Sequence, residues 1–153
     1  MGVVNEMETE NAFSELVGKT LTSVTGSRDG ERHPVKVGDN DIEFTTDQGE
    51  VYALLHEQVC CESVEVADIC GDADDLVGSP IVQAEESRSG DGDEWPSGIA
   101  RPEDLDSYTW TFYRIATAKG LVVIRWLGES NGYYSESVEF VRRRPGGGRR
   151  CSE

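Results

Sequence analysis

The chain has only two histidines and no Cys-x-x-Cys pair. No apolar run approaches the roughly 20 residues of a membrane span. Its 14 basic residues face 30 acidic ones, a formal charge of −16. Each shortage excludes something. No helix-type membrane span is expected, and the opening MGVVNEMETE has no signal-peptide pattern, so a cytoplasmic location is expected. Glu6 stands where a myristoylation start needs Ser or Thr. A surface this acidic excludes broad contact with nucleic-acid phosphates or anionic membranes. There is no Gly-x-Ser-x-Gly, no His-Glu-x-x-His and no Walker sequence, and Gly146–Gly148 lacks the strand and helix that frame a phosphate loop. No cofactor is implied, and a binding protein is favoured over an enzyme.

What is present is a long aromatic meander at 107–143. From Ser107 to Thr117 the chain alternates, with Tyr108, Trp110, Phe112 and Arg114 on one face and Thr109, Thr111, Tyr113 and Ile115 on the other. Period two with aromatic and β-branched residues marks a strand. Leu121 to Gly128 is apolar on both faces, as a central strand covered on both sides would be. A three-residue loop, Ala118-Lys119-Gly120, is expected between them, with Gly120 left-handed. That register would set Phe112 opposite Trp126 and Tyr113 opposite Arg125. Asn131-Gly132 is the strongest turn signal, a type I′ turn leading into a third strand from Tyr133 to Arg143. This strand would pair with the second, Arg125 opposite Val138.

Other stretches read as strands too: 19–25, a short piece near 35–37, 41–46, 50–56, 63–69 and an edge strand at 80–85. Asp47-Gln48-Gly49 reads as a three-residue hairpin loop. Helical turns are expected at 11–17 and 72–77. The total is seven to nine short strands in one domain, mainly β: an antiparallel β-barrel or sandwich with one or two short helices. Residues 1–11 are expected to be a flexible start, 12–142 the β-rich domain, 88–106 a mobile acidic loop and 143–153 a flexible basic tail. Trp95 beside Pro96 is expected to dock back onto the body.

Candidate ligand residues are Arg114, Arg125, Trp126, Ser130, Asn131, Tyr133 and Tyr134. Guanidinium groups beside aromatic faces suit an anion. Tyrosines, short hydroxyls and an amide at a strand end suit a small polar ligand or a protein partner. The plainer reading pairs the arginines with Glu136 or Glu139 and keeps the tyrosines in the core. His56, Cys60, Cys61 and Cys70 make a weaker candidate for a metal, or for a Cys–His nucleophile. Adjacent cysteines rarely both ligate one ion, so buried structural thiols with His56 capping backbone are the alternative. No calcium-loop pattern surrounds Asp72, Asp74 and Asp75, which fit a helix start.

The stretches HEQVCCESVEVADICGD at 56–72 and SYTWTFYRIATAKGLVVIRWLGESNGYYSESV at 107–138 together resemble a small family of phage and bacterial proteins known as a domain of unknown function. The resemblance spans roughly Leu16 to Phe140. It brings no activity with it, and a phage origin would imply the host cytoplasm. By analogy with small phage proteins that sequester host-defence signals, the first expectation is a sponge for a nucleotide-derived molecule. An acidic DNA mimic or protein-interaction inhibitor, with a host protein as partner, is the second. A Cys/His metal or thiol site is the third. Homo-oligomerisation is left open.

Overall fold

The structure is a computed structural model that describes residues 8–90, 95–96, 98–102 and 105–143. Among the described residues ten strands run in chain order: β1 Glu8–Glu10, β2 Leu21–Ser27, β3 His33–Pro34, β4 Asp41–Thr46, β5 Val51–Leu55, β6 Ser63–Cys70, β7 Gln83–Gly90, β8 Ser107–Thr117, β9 Gly120–Ser130 and β10 Glu139–Arg143. Short 3₁₀ turns occupy Phe13–Leu16 and Ala73–Leu76. The second starts on Asp72, whose carboxylate accepts from the Asp74 amide at 3.0 Å.

Two antiparallel sheets form. One has the order β1-β10-β5-β4-β2-β3, the other β6-β9-β8-β7. Each sheet ends in edge strands, so the fold is a sandwich and not a closed barrel. Alternation decides what faces inward. Ile42 and Phe44 on β4, Tyr52 and Leu54 on β5, Tyr113 and Ile115 on β8, and Val122, Ile124 and Trp126 on β9 share one buried core. Phe13 joins the sheets, with its ring 4.7 Å from Tyr113 and 5.1 Å from Phe140. A smaller second cluster lies on the outer face of the four-stranded sheet. There Tyr108, Trp110 and Leu127 are covered by Trp95, Ile99 and Leu105.

The 47–49 loop forms as read: Thr45 pairs with Val51, the Thr46 amide donates to the Glu50 carbonyl at 2.8 Å, and Gly49 is left-handed at φ 82°. Four expectations need correction. The β8–β9 loop holds two residues, because Gly120 pairs with Thr117. Gly120 is not among the left-handed glycines; it makes room for Asp75, whose carboxylate oxygen lies 2.7 Å from where a Cβ would stand. The register therefore moves by one, and Phe112 faces Arg125 while Tyr113 faces Ile124. The third strand does not return beside β9. Residues 131–138 cross to the other sheet, where β10 lies between β1 and β5. Residues 8–10 of the supposedly flexible start are strand β1, paired with β10. The edge strand is displaced, running 83–90 and pairing with β8 along its whole length.

Of the 88–106 stretch, then, 88–90 are strand, and Trp95 docks on Tyr108 and Trp110 with ring centroids 5.2 and 5.1 Å away. Arg143 closes β10; the tail at 144–153 and residues 1–7 lie outside the described residues.

Candidate functional site: a cleft at one end of the four-stranded sheet

At the end of the sheet where β6 begins and β9 finishes, Ser63 pairs with Glu129 and Ser107 with Ser130. A cleft of about 230 Å³ opens there, lined by Cys61, Glu62, Ser63, Leu105, Asp106, Glu129, Ser130, Asn131 and Tyr134. Three segments build it: the β5–β6 loop, the approach to β8, and the 131–138 crossover. Among the described residues the lining carries carboxylates, hydroxyls, an amide and a phenol, and no Lys or Arg. Burial raises the Glu129 carboxyl above its ordinary value, with Glu65 and Glu136 adding to the effect.

The crossover is held by local hydrogen bonds. Asn131 accepts the Tyr133 amide through its side chain at 2.9 Å, an Asx turn, and Gly132 is left-handed at φ 91°. Glu136 accepts from Thr109 at 2.8 Å and from Ser130 at 2.5 Å. It can lie across the sheet because the residue beneath it is Gly128, where a Cβ would stand 2.8 Å from the Glu136 Cβ.

Under the cleft sits a buried pair. His56 Nε2 is 2.7 Å from Glu62 Oε2, and His56 Nδ1 is 2.7 Å from the Ser137 carbonyl oxygen. Their side chains are 4% and 0% exposed. A carbonyl oxygen only accepts, so Nδ1 carries hydrogen. The hydrogen bond to His56 holds the Glu62 carboxyl at about 2, helped by amides of Val59 and Cys60 that donate at 2.8 and 2.9 Å. His56 thus bridges the β5–β6 loop and the crossover, with both ring nitrogens engaged.

This disposes of His56 as a general base for a cysteine nucleophile, since neither ring nitrogen is free. Cys60, Cys61 and Cys70 are free thiols at the surface, not buried ones. The Cys61 thiol is raised above its ordinary value, first by hydrogen bonding to Cys60, then by desolvation. An activated nucleophile needs the opposite shift. Cys70 ends β6, seven residues from Ser63 and roughly 23 Å away, so it does not join the others. Among the described residues no three His, Cys, Asp or Glu side chains converge as a metal site.

The predicted ligand residues divide into four places. Ser130, Asn131 and Tyr134 come together in the cleft. Tyr133 stands at its rim, 81% exposed, edge-on to Tyr134 at 5.0 Å. Trp126 faces inward and is fully buried, so it belongs to the core. Arg114 and Arg125 lie on the outer face of the sheet with Phe112, which is directly opposite Arg125. Arg125 pairs with Asp68 at 3.3 Å, not with Glu136 or Glu139. The packed segment bearing Trp95, Ile99 and Leu105 covers the sheet between this patch and the cleft.

Sequence reasoning gave Asp106 no role, counted Glu62 only with His56, Cys60 and Cys61 as a metal or thiol set, and left Glu129 and Phe112 out of the ligand residues. Glu62 was visible beside His56 and the cysteines, but only the hairpin-like return of 57–62 brings the carboxylate under the ring. Asp106 and Glu129 become neighbours through strand pairing alone.

A protein-family model described as Domain of unknown function (DUF7448) matches residues 14–140. No curated protein and no solved structure matches the chain. Among the described residues no helix is long and apolar enough to cross a membrane.

Proposed function

For this chain, which belongs to the family described as Domain of unknown function (DUF7448), we propose a non-enzymatic binding role centred on the cleft. The observation that carries it is the convergence of Ser130, Asn131, Tyr134 and Glu129 with Asp106 from a separate segment on one open cavity. Aromatic and short polar groups at the mouth supply contact area and hydrogen bonds at low ordering cost. With carboxylates and no basic side chain among the described lining residues, the ligand that fits is small, polar and neutral or cationic: an amine, a guanidinium, or a basic side chain of a partner protein.

A second reading rests on the other patch. Phe112 is half-buried, with Arg125 opposite it and Arg114 two residues along the same face. A ring between guanidinium groups suits a base and a phosphate, so a nucleotide-derived signal, such as one made in host defence against phage, would lie here and not in the cleft. Against it, Asp68 already holds Arg125. The DNA-mimic reading has less support. Asp41 and Glu43 on the larger sheet are paired by Arg32 and Arg143, which interrupts any row of free carboxylates.

Thermal-shift measurement separates these readings. A ligand at a hundred times its Kd stabilises by about 2.7 kcal/mol, or roughly 5–10 °C for a domain of this size. Stabilisation by arginine, agmatine or spermidine that is lost in Asn131→Ala and Tyr134→Ala is the expected result. Stabilisation by cyclic nucleotides or ADP-ribose that is lost in Arg114→Ala and kept in the cleft variants would move the function to the outer face. No shift with either set at millimolar concentration would overturn both.

A further inference from the structure

The cleft reading leaves Cys60 and Cys61 without a task. Both are free and exposed, and they are consecutive, so a single peptide unit bounds their separation. The peptide that carries them is not loose. Glu62 accepts the Val59 and Cys60 amides, and Gln58 Nε2 donates to the Cys60 carbonyl at 3.2 Å and to the Glu62 carbonyl at 2.5 Å. Cys61 lines the cleft, and Tyr134 sits next to Cys60, whose hydrogen bond raises the phenol above its ordinary value. Among the described cleft residues no Lys or Arg stands by to generate thiolate, and His56 is spent on Glu62 and Ser137. Oxidation and alkylation, which go through thiolate, are disfavoured. Chemistry that consumes two neutral thiols together is not.

We propose that Cys60 and Cys61 form a dithiol site for trivalent arsenic and its organic derivatives at the mouth of the cleft. An arsenical R–As=O condenses with both thiols. Two As–S bonds form, the As=O bond breaks, and the two thiol protons leave on that oxygen as water. Nothing is oxidised or reduced, and no charge is created. Because Glu62 and Gln58 already fix the loop, chelation demands little further ordering. The adduct would stand beside Tyr134 and narrow the mouth, so loading the thiols would also block the cleft.

The test uses the full-length reduced protein, phenylarsine oxide and intact-mass measurement. One phenylarsenic unit in place of two thiol hydrogens is expected. It should survive excess 2-mercaptoethanol and be removed by 2,3-dimercaptopropanol. Cys60→Ser and Cys61→Ser should each lose this resistant adduct, with Cys60→Ala and Cys61→Ala as second variants should either serine form misfold. The double variant Cys70→Ser/Cys151→Ser should keep it. An adduct that persists in Cys60→Ser or Cys61→Ser, one that a monothiol strips from the parent protein, or no adduct at all would overturn the assignment. None of these outcomes depends on whether the cleft takes a cationic ligand.

Discussion

Replacing Gly128 with alanine tests how the cleft is held together. Gly128 lies in β9 opposite Thr109 and beneath the crossover, and it is not among the left-handed glycines. Conformational strain is therefore not the issue. A methyl group there would overlap the Glu136 carbonyl oxygen and stand 2.8 Å from the Glu136 Cβ. The first of these is backbone and cannot swing aside. Overpacking of this kind costs about 1–3 kcal/mol. Moving Glu136 also weakens its bonds to Thr109 and Ser130, and hydrogen bonds to charged groups contribute about 1.5–3 kcal/mol each. Partial relaxation keeps the sum near 2–4 kcal/mol, or roughly 5–15 °C in Tm for a domain of this length. Urea unfolding followed by tryptophan fluorescence would measure it. Gly49→Ala is the comparison: Gly49 is left-handed with nothing within 4 Å, so it should lose about 1–2 kcal/mol and leave the cleft intact. Alanine suits a strand better than glycine. A Gly128→Ala protein as stable as its parent, or more so, would refute the packing argument.

Three further outcomes follow from the same geometry. His56→Ala, which removes the bridge between Glu62 and the Ser137 carbonyl, should lower the urea midpoint, and a variant as stable as its parent would undo the clamp. Glu62 is depressed from 4.5 to about 2, so its stabilisation is complete above pH 4.5 and is lost as pH falls toward 2; urea midpoints should show this decline, and Glu62→Gln should abolish it. Trp95→Ala removes edge contacts to Tyr108 and Trp110, each contributing about 0.5–1.5 kcal/mol beyond area burial, so a loss of about 1–3 kcal/mol is expected by denaturant titration.

Sequence alone revealed the strands and much less of their partners. The 47–49 loop was legible because everything it needs is local: two short strands and a glycine that turns left-handed. Asn131-Gly132 carried a stronger local signal and still misled. Gly132 does turn left-handed, but Asn131 does not, and the chain then crosses between sheets. Period-two alternation marks a strand without naming its neighbour. Gly120 misled for a related reason, since its lack of a side chain serves Asp75, a residue 45 positions away in sequence. For the site, a cluster of polar residues at 130–134 could be read directly. Its acidic walls could not, because Asp106 and Glu129 meet only once β8 and β9 have found their register.

The seat of β10 between β1 and β5 has a consequence for biosynthesis. Leu54 and Ala53 wait for Phe140 and Val141, so the larger sheet stays open along one side until residues 139–143 have left the ribosome. During that interval β5 offers a bare row of amides and carbonyls to any other chain. A product truncated near residue 135 would keep that exposed margin permanently and should be recovered as aggregate.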